Sequence, residues 1–463
     1  MSVQTPEQTL ARFVCDLSVT DVPPQTLRIV RLVLLTVAGT AVAGAGEEGV
    51  EPLRALLKAR GGQAEATSFI YGDRLPAASA AMLNGVMCRA LDYCDAMLPG
   101  LHIGSSLVPA AFAAAELAGG CSGAEFLAAL AAGAELASRL NLSEAQYDGF
   151  DPTGVAAVFA STAAASRILR LTQQQTLHAL ALAFNRCGGS FQSNVDGSLA
   201  VRVIQGWVAE TGVSCAQLAR AGLTGPAHFI SGVYGYAHLY GRGRLDPFSV
   251  CEGLGERWLL NAMVFKKYPS CGGTQGMTEI ALDMASRLDL HPEQIESIVV
   301  RVRPYTFKLV GHRFVMGDNP RVDAQFSAQY CVASAFVRRH CELSHFRPQA
   351  IVDRSVLDLL ERVTPVSDES LSQAGQPCAV MRVKMRDGQE HESALAFAPG
   401  FPGNELTDSQ HRSRLDDCMR YAPYPLARAQ IDALVRDIEV LSEIDDARAL
   451  LQHFKSEAIA NET

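Results

Sequence analysis

The chain has 463 residues, 48% of them hydrophobic and 19% charged, and a net charge of −9. That length exceeds one ordinary apolar core, so two domains are expected. No Lys/Arg cluster or basic-aromatic patch appears, which argues against a nucleic-acid or anionic-membrane partner and for a small molecule.

The N-terminus lacks a basic region followed by an apolar stretch and a cleavage site, so secretion is not expected. Twelve cysteines are scattered with no C-x-x-C pair, which reads as free thiols in a reducing, cytoplasmic setting with no zinc or iron-sulfur signature. Leu32 to Ala45 is the longest apolar stretch, too short to span a membrane, and reads as a buried core helix.

Helical patterning runs over Gln25 to Ala43, Gly49 to Arg60, Pro76 to Ala90, Ser106 to Leu117, Gly123 to Asn141, Gly154 to Leu169 and Gln173 to Ala183. Alanine and leucine dominate, and small side chains let helices approach closely. Breaks are expected at Gly61-Gly62, Gly119-Gly120, Asp148 to Pro152 and Gly188-Gly189. After Lys267 the pattern changes. Ile295 to Arg303 is β-branched and reads as a strand, while Ala379 to Arg386, a turn at Asp387-Gly388, and Glu390 to Phe397 read as a hairpin. Phe326 to Arg339 and Ser355 to Val363 look helical between them, and Arg428 to Leu441 and Ile444 to Phe454 are helical in the tail. The expected fold is mainly α: a large all-helical domain over residues 1–264, completed by 406–463, with a smaller α+β lid domain over 265–405.

Four segments carry polar chemistry. Asp92, Asp95 and His102 sit on a Gly/Pro-interrupted segment between Ala-rich helices, either as the acid/base edge of a pocket or as locally capped carboxylates beside a core histidine. Lys266 and Lys267 precede Tyr268-Pro269-Ser270-Cys271 and a glycine pair at the change of composition, where a lysine could hold a carboxylate or simply be solvated. Arg202 ends a small, polar stretch from Gly188 and could grip a carboxylate or form a structural ion pair. Gln325 to Tyr330 adds polar candidates.

Taken in order, Asn84-Gly85, Leu91-Asp92-Tyr93-x-Asp95 to His102, Asp151-Pro152-Thr153-Gly154, Asp196-Gly197-Ser198, Gly222-Leu223-Thr224-Gly225, Lys266 to Cys271 and Phe326-Ser327-x-Gln329-Tyr330 resemble the MmgE/PrpD family. That family includes 2-methylcitrate dehydratase, cis-aconitate decarboxylase and iminodisuccinate epimerase. The resemblance implies a homodimer with a site between its domains, no metal or organic cofactor, and a small carboxylate substrate. It assigns His102 as general base or acid, Asp92 as its partner and Lys266 as the carboxylate and enolate cation, with Arg202, Tyr330, Asp151 and Cys271 as substrate contacts. The expected activity is a dehydratase-type lyase, with epimerase or decarboxylase as alternatives and a non-catalytic binding protein as a further one. Departures from the pattern fall at Cys94 and Ala96 (usually Asp and Thr), Ile103-Gly104 (usually Pro-Ser), Asp151 (usually His), Val201 (usually Lys) and Cys271 (His in the decarboxylase). They remove a cation and two imidazoles, implying a smaller, less charged or differently arranged substrate.

Overall fold

The computed structural model describes residues 4–456 apart from 374 and 377. The chain is mainly helical, and its buried apolar side chains form two clusters. One draws on residues 10–265, Leu343 and 406–454; the other lies within 271–385. The Pro24–Gly44 helix, the one among the described residues long and apolar enough to cross a membrane, is a core helix whose C-terminal half is almost wholly buried.

Two helices frame the site, Ala77–Arg89 and Ala200–Arg220. They cross backbone to backbone because glycine stands on both sides. A Cβ at Gly85 would lie 2.9 Å from the Gln205 carbonyl oxygen, and one at Gly206 would lie 2.8 Å from that of Met82. Gly44 makes a third close approach, to Met87. Glycine costs a helix about 1 kcal/mol against alanine, so these three are justified only by interhelical contact. The consequence is a fixed position for Arg89, in the last turn of the first helix, and for Gln205, which donates to the His102 carbonyl at 3.3 Å.

The chain leaves Ala77–Arg89 through Asp92, whose φ of 51° lies in the left-handed region that Asp tolerates better than most residues. It then forms a two-residue antiparallel ribbon with a distant segment, Asp95 opposite Phe265 and Ala96 opposite Val264. This ribbon sets Lys266 beside Asp92. Further links pin the same junction: the Tyr93 hydroxyl donates to the Lys267 carbonyl at 2.9 Å, and Gln325 donates to the carbonyls of Leu91 and Pro269.

The second cluster surrounds a four-stranded sheet in the order Val363–Ser367, Ile295–Val302, Ala379–Met385, Glu390–Leu395. Its first pair is parallel and the others antiparallel. Helices Gln275–Arg287 and Ala328–Arg338 pack with it. The tail returns to the first cluster: on the Asp408–Tyr421 helix, Arg414 donates to the Tyr93 carbonyl and lies 4.9 Å from the centre of the Tyr93 ring.

The strand and hairpin read from the sequence fall within a residue or two of the observed ones. Val363 corrects one reading, because it opens a parallel strand rather than closing a helix. Thr153–Ala157 is a π-turn before the α-helix Val158–Ile168, and Ala447–Phe454 is 3₁₀ rather than α. Among the described α-helices of 11 residues or more, four had no counterpart in the sequence reading: Pro6–Asp16, Ala200–Arg220, Gln275–Arg287 and Asp408–Tyr421.

Candidate active site

A cavity of about 660 Å³ lies between the two clusters, and its lining includes Arg89, Asp92, His102, Asp151, Lys266 and Cys271. Five of the seven site residues read from the sequence meet around this one space. Arg89 is the addition. The remaining two stand apart from the lining and serve structure. Arg202 is buried and donates to the Glu48 carbonyl at 2.8 Å, while the Tyr330 hydroxyl donates to the His345 carbonyl within the second apolar cluster. Neither is among the residues that line the cavity, where their substrate contacts were expected.

The polar floor is a buried ion triad. Asp92 Oδ1 pairs with Arg89, three residues earlier at the helix end, and with Lys266 Nζ at 2.8 Å. Lys266 also donates to the Asp92 carbonyl at 2.9 Å. At 4% exposure for Asp92 and 2% for Lys266, neither charge can rely on water, so each depends on its partner. Burial alone would raise the Asp92 carboxyl; Lys266 and Arg89 outweigh it and hold the group well below the usual carboxylate range. Two cations against one anion leave the floor net positive. Asp92 Oδ2 is buried without a hydrogen-bond partner, so it can accept from a substrate hydroxyl.

His102 completes the floor. Its Nδ1 lies 2.7 Å from the Asp95 carbonyl oxygen, which can only accept, so Nδ1 carries the hydrogen and Nε2 presents its lone pair. Nε2 lies 3.5 Å from Arg89 Nη2. Burial, then the Arg89 and Lys266 charges, drives the imidazole well below its ordinary value and keeps it neutral at pH 7. Asp95, by contrast, is a cap: its carboxylate accepts from the Ile103 and Gly104 amides at the start of the Gly104–Leu117 helix. A Cβ at Gly104 would strike that carboxylate, which accounts for glycine there.

Burial also acts on Asp151 and Cys271. Burial raises the Asp151 carboxyl, although its Oδ1 accepts from the Thr153 amide at 2.8 Å. Thr153 Oγ1 in turn accepts from the His102 amide at 3.2 Å, tying Asp151 to the base through one residue. Burial and the Asp92 charge push the Cys271 thiol up to about 11, so the thiol is protonated at neutral pH. Arg303 and Tyr305 also line the cavity. Among the described residues no group of three His, Cys, Asp or Glu side chains converges as a metal would need.

Both halves of the chain match family models. The MmgE/PrpD N-terminal domain covers residues 8–247 and the C-terminal domain residues 268–440. The chain belongs to the MmgE/PrpD family. Similar curated proteins include the cis-aconitate decarboxylase-like protein oryM of Aspergillus oryzae, 26% identical over 96% of both chains. The cis-aconitate decarboxylase of Mus musculus is 23% identical over all of this chain and 96% of its own. That of Homo sapiens is 26% identical over 64% of this chain and 63% of its own. As an MmgE/PrpD member with such relatives, the chain has the standing of an enzyme, and a polycarboxylate substrate fits the relatives.

Sequence reasoning passed over Arg89, although a signal was present. It is the one charged residue in an otherwise apolar and small-residue helix, and it stands three before Asp92.

Proposed function

We propose that this MmgE/PrpD protein is a cofactor-independent acid/base lyase that removes a proton α to a carboxylate in a small polycarboxylate or hydroxy acid, with dehydration of a 2-methylcitrate-like acid as the first reading. The observation that carries it is a neutral imidazole whose Nε2 lone pair, in long contact with Arg89 Nη2 at 3.5 Å, stands beside two buried cations on a cavity floor.

A substrate carboxylate is drawn to Arg89 and Lys266, and its charge offsets the two cations that depress His102. The imidazole becomes a stronger base on binding. His102 Nε2 takes the α-proton, and the electron pair passes into the carboxylate as an enolate that the two cations stabilise. The C–O bond at the β-carbon then breaks, and the departing hydroxyl takes a proton from Asp151 or Cys271 to leave as water. Free Asp92 Oδ2 orients that hydroxyl beforehand.

The names of the relatives support decarboxylation as a second reading. There the C–C bond to a carboxylate breaks, carbon dioxide leaves, and the resulting carbanion takes a proton from the same acids. Neutral His102 favours the first reading, because a group that starts without its proton is set to accept one. Incubation with 2-methylcitrate and with cis-aconitate, followed by NMR of the products and trapping of carbon dioxide, separates the two. Loss of water from the hydroxy acid without carbon dioxide is expected; carbon dioxide from cis-aconitate would select the second reading.

The reading takes residues 265–405 as a lid on the helical body. It also includes a cytoplasmic homodimer. Twelve free cysteines support the reducing setting. Trp207 and Leu218, exposed and three turns apart on one stripe of the Ala200–Arg220 helix, support a self-contact.

A further inference from the structure

The cavity floor is charged, but much of the wall is apolar. Leu98, Leu142, Leu309, Phe326, Phe397 and Phe401 line it. Two of these stand at the solvent side: Leu98 is 62% exposed and Phe397 54% exposed. They come from opposite parts of the molecule, Leu98 from the segment that carries His102 and Phe397 from the stretch that follows the last strand. That stretch lies over the segment bearing Cys271, since Phe401 comes within 3.7 Å of a Cβ placed on Gly272. Together with the less exposed wall residues, Leu98 and Phe397 carry an apolar lining from the floor out to the mouth, the kind of surface that takes an apolar group.

Volume points the same way. The cavity holds about 660 Å³. A citrate-sized acid displaces well under half of that. Charge does so too, because the cations lining the space, Arg89, Lys266 and Arg303, are few for its size.

We propose that the natural substrate is a polycarboxylate bearing an apolar tail, an alkyl or aryl substituent of several carbons. Its carboxylates meet Arg89 and Lys266, and the tail runs along Phe326 and Phe397 to the solvent side. The proposal rests on the acid/base reading for the head of the molecule; the tail rests on the wall alone. Each methylene taken out of water tightens binding about fourfold.

The test is calorimetric titration of the full chain with 2-methyl-, 2-butyl- and 2-hexylcitrate, with turnover of each followed by NMR. Affinity rising at least 100-fold from methyl to hexyl is expected, and Phe397→Asp, folded by circular dichroism, is expected to flatten that rise. Affinity that is flat or falls with tail length overturns the proposal. The two readings fail separately. A rise in affinity with no turnover of any member sinks the acid/base reading and leaves the tail, whereas turnover of the methyl compound without a rise sinks the tail alone.

Discussion

Gly206→Ala tests whether the helix crossing that positions the site depends on missing side chains. In an unconstrained helix this change stabilises by about 1 kcal/mol through backbone entropy. Here the new Cβ would stand 2.8 Å from the Met82 carbonyl oxygen and 2.7 Å from Val86 Cγ2. A backbone oxygen in the middle of the Ala77–Arg89 helix cannot move aside cheaply, and overpacking of this kind costs about 1–3 kcal/mol. The net expectation is destabilisation by up to about 2 kcal/mol, read as a lower urea midpoint with an unchanged slope. Separation of the helices also shifts Arg89 and Gln205, so turnover is expected to fall more than stability alone explains. Gly85→Ala presses on the same crossing from the other side, 2.9 Å from the Gln205 carbonyl oxygen. Once either substitution has forced the helices apart, the second costs less, so the double variant is expected to lose less than the sum. A Gly206→Ala protein more stable than the parent would refute the close-approach argument.

Three other outcomes follow from the same geometry. His102 is held neutral in the folded state while its unfolded imidazole titrates near 6.5, so the unfolded chain binds the extra proton as pH falls. Stability contributed by this group is therefore complete above about pH 6.5 and drains below it, by up to about 1 kcal/mol between pH 7 and 5.5; urea melts at both values should show a smaller loss for His102→Asn than for the parent, and equal losses would contradict the assignment. Asp92→Asn leaves Arg89 and Lys266 buried without their counter-ion and is expected to cost about 3–5 kcal/mol in a thermal or urea melt; a cost under 1 kcal/mol would mean that the triad is not a coupled unit. Light scattering is expected to give a dimer mass, and Trp207→Asp with Leu218→Asp a monomer mass; a dimer that survives both changes would move the self-contact elsewhere.

What the sequence made legible was local. The Ala-rich helices follow from their 3.6-residue period, and the Asp387-Gly388 hairpin follows from turn chemistry, because each depends on neighbours a few residues away. The Ala200–Arg220 helix was passed over; its Gly206 and Gly212 mark close contact with Met82 and Ser161. The pairing of Asp92 with Lys266 spans 174 residues and is made by a ribbon only two residues long, which no periodicity announces. Arg202 and Tyr330 have the right chemical character for substrate contacts. In the packed chain they donate to the Glu48 and His345 carbonyls, and neither lines the cavity. Arg89 illustrates the converse, a helix-end cation whose meaning appears only when His102 and Asp92 close around it.

Deuterium exchange at the carbon α to a carboxylate tests the central claim most directly. With the parent protein in D₂O and a panel of citrate, 2-methylcitrate and iminodisuccinate analogues, NMR should show label entering the α-position of at least one acid. His102→Asn, which keeps a polar group of similar reach, is expected to bind that acid but lose exchange by about 10²–10⁴-fold. Exchange at the parent rate in His102→Asn would contradict the account, because the proton would then be passing through some group other than Nε2.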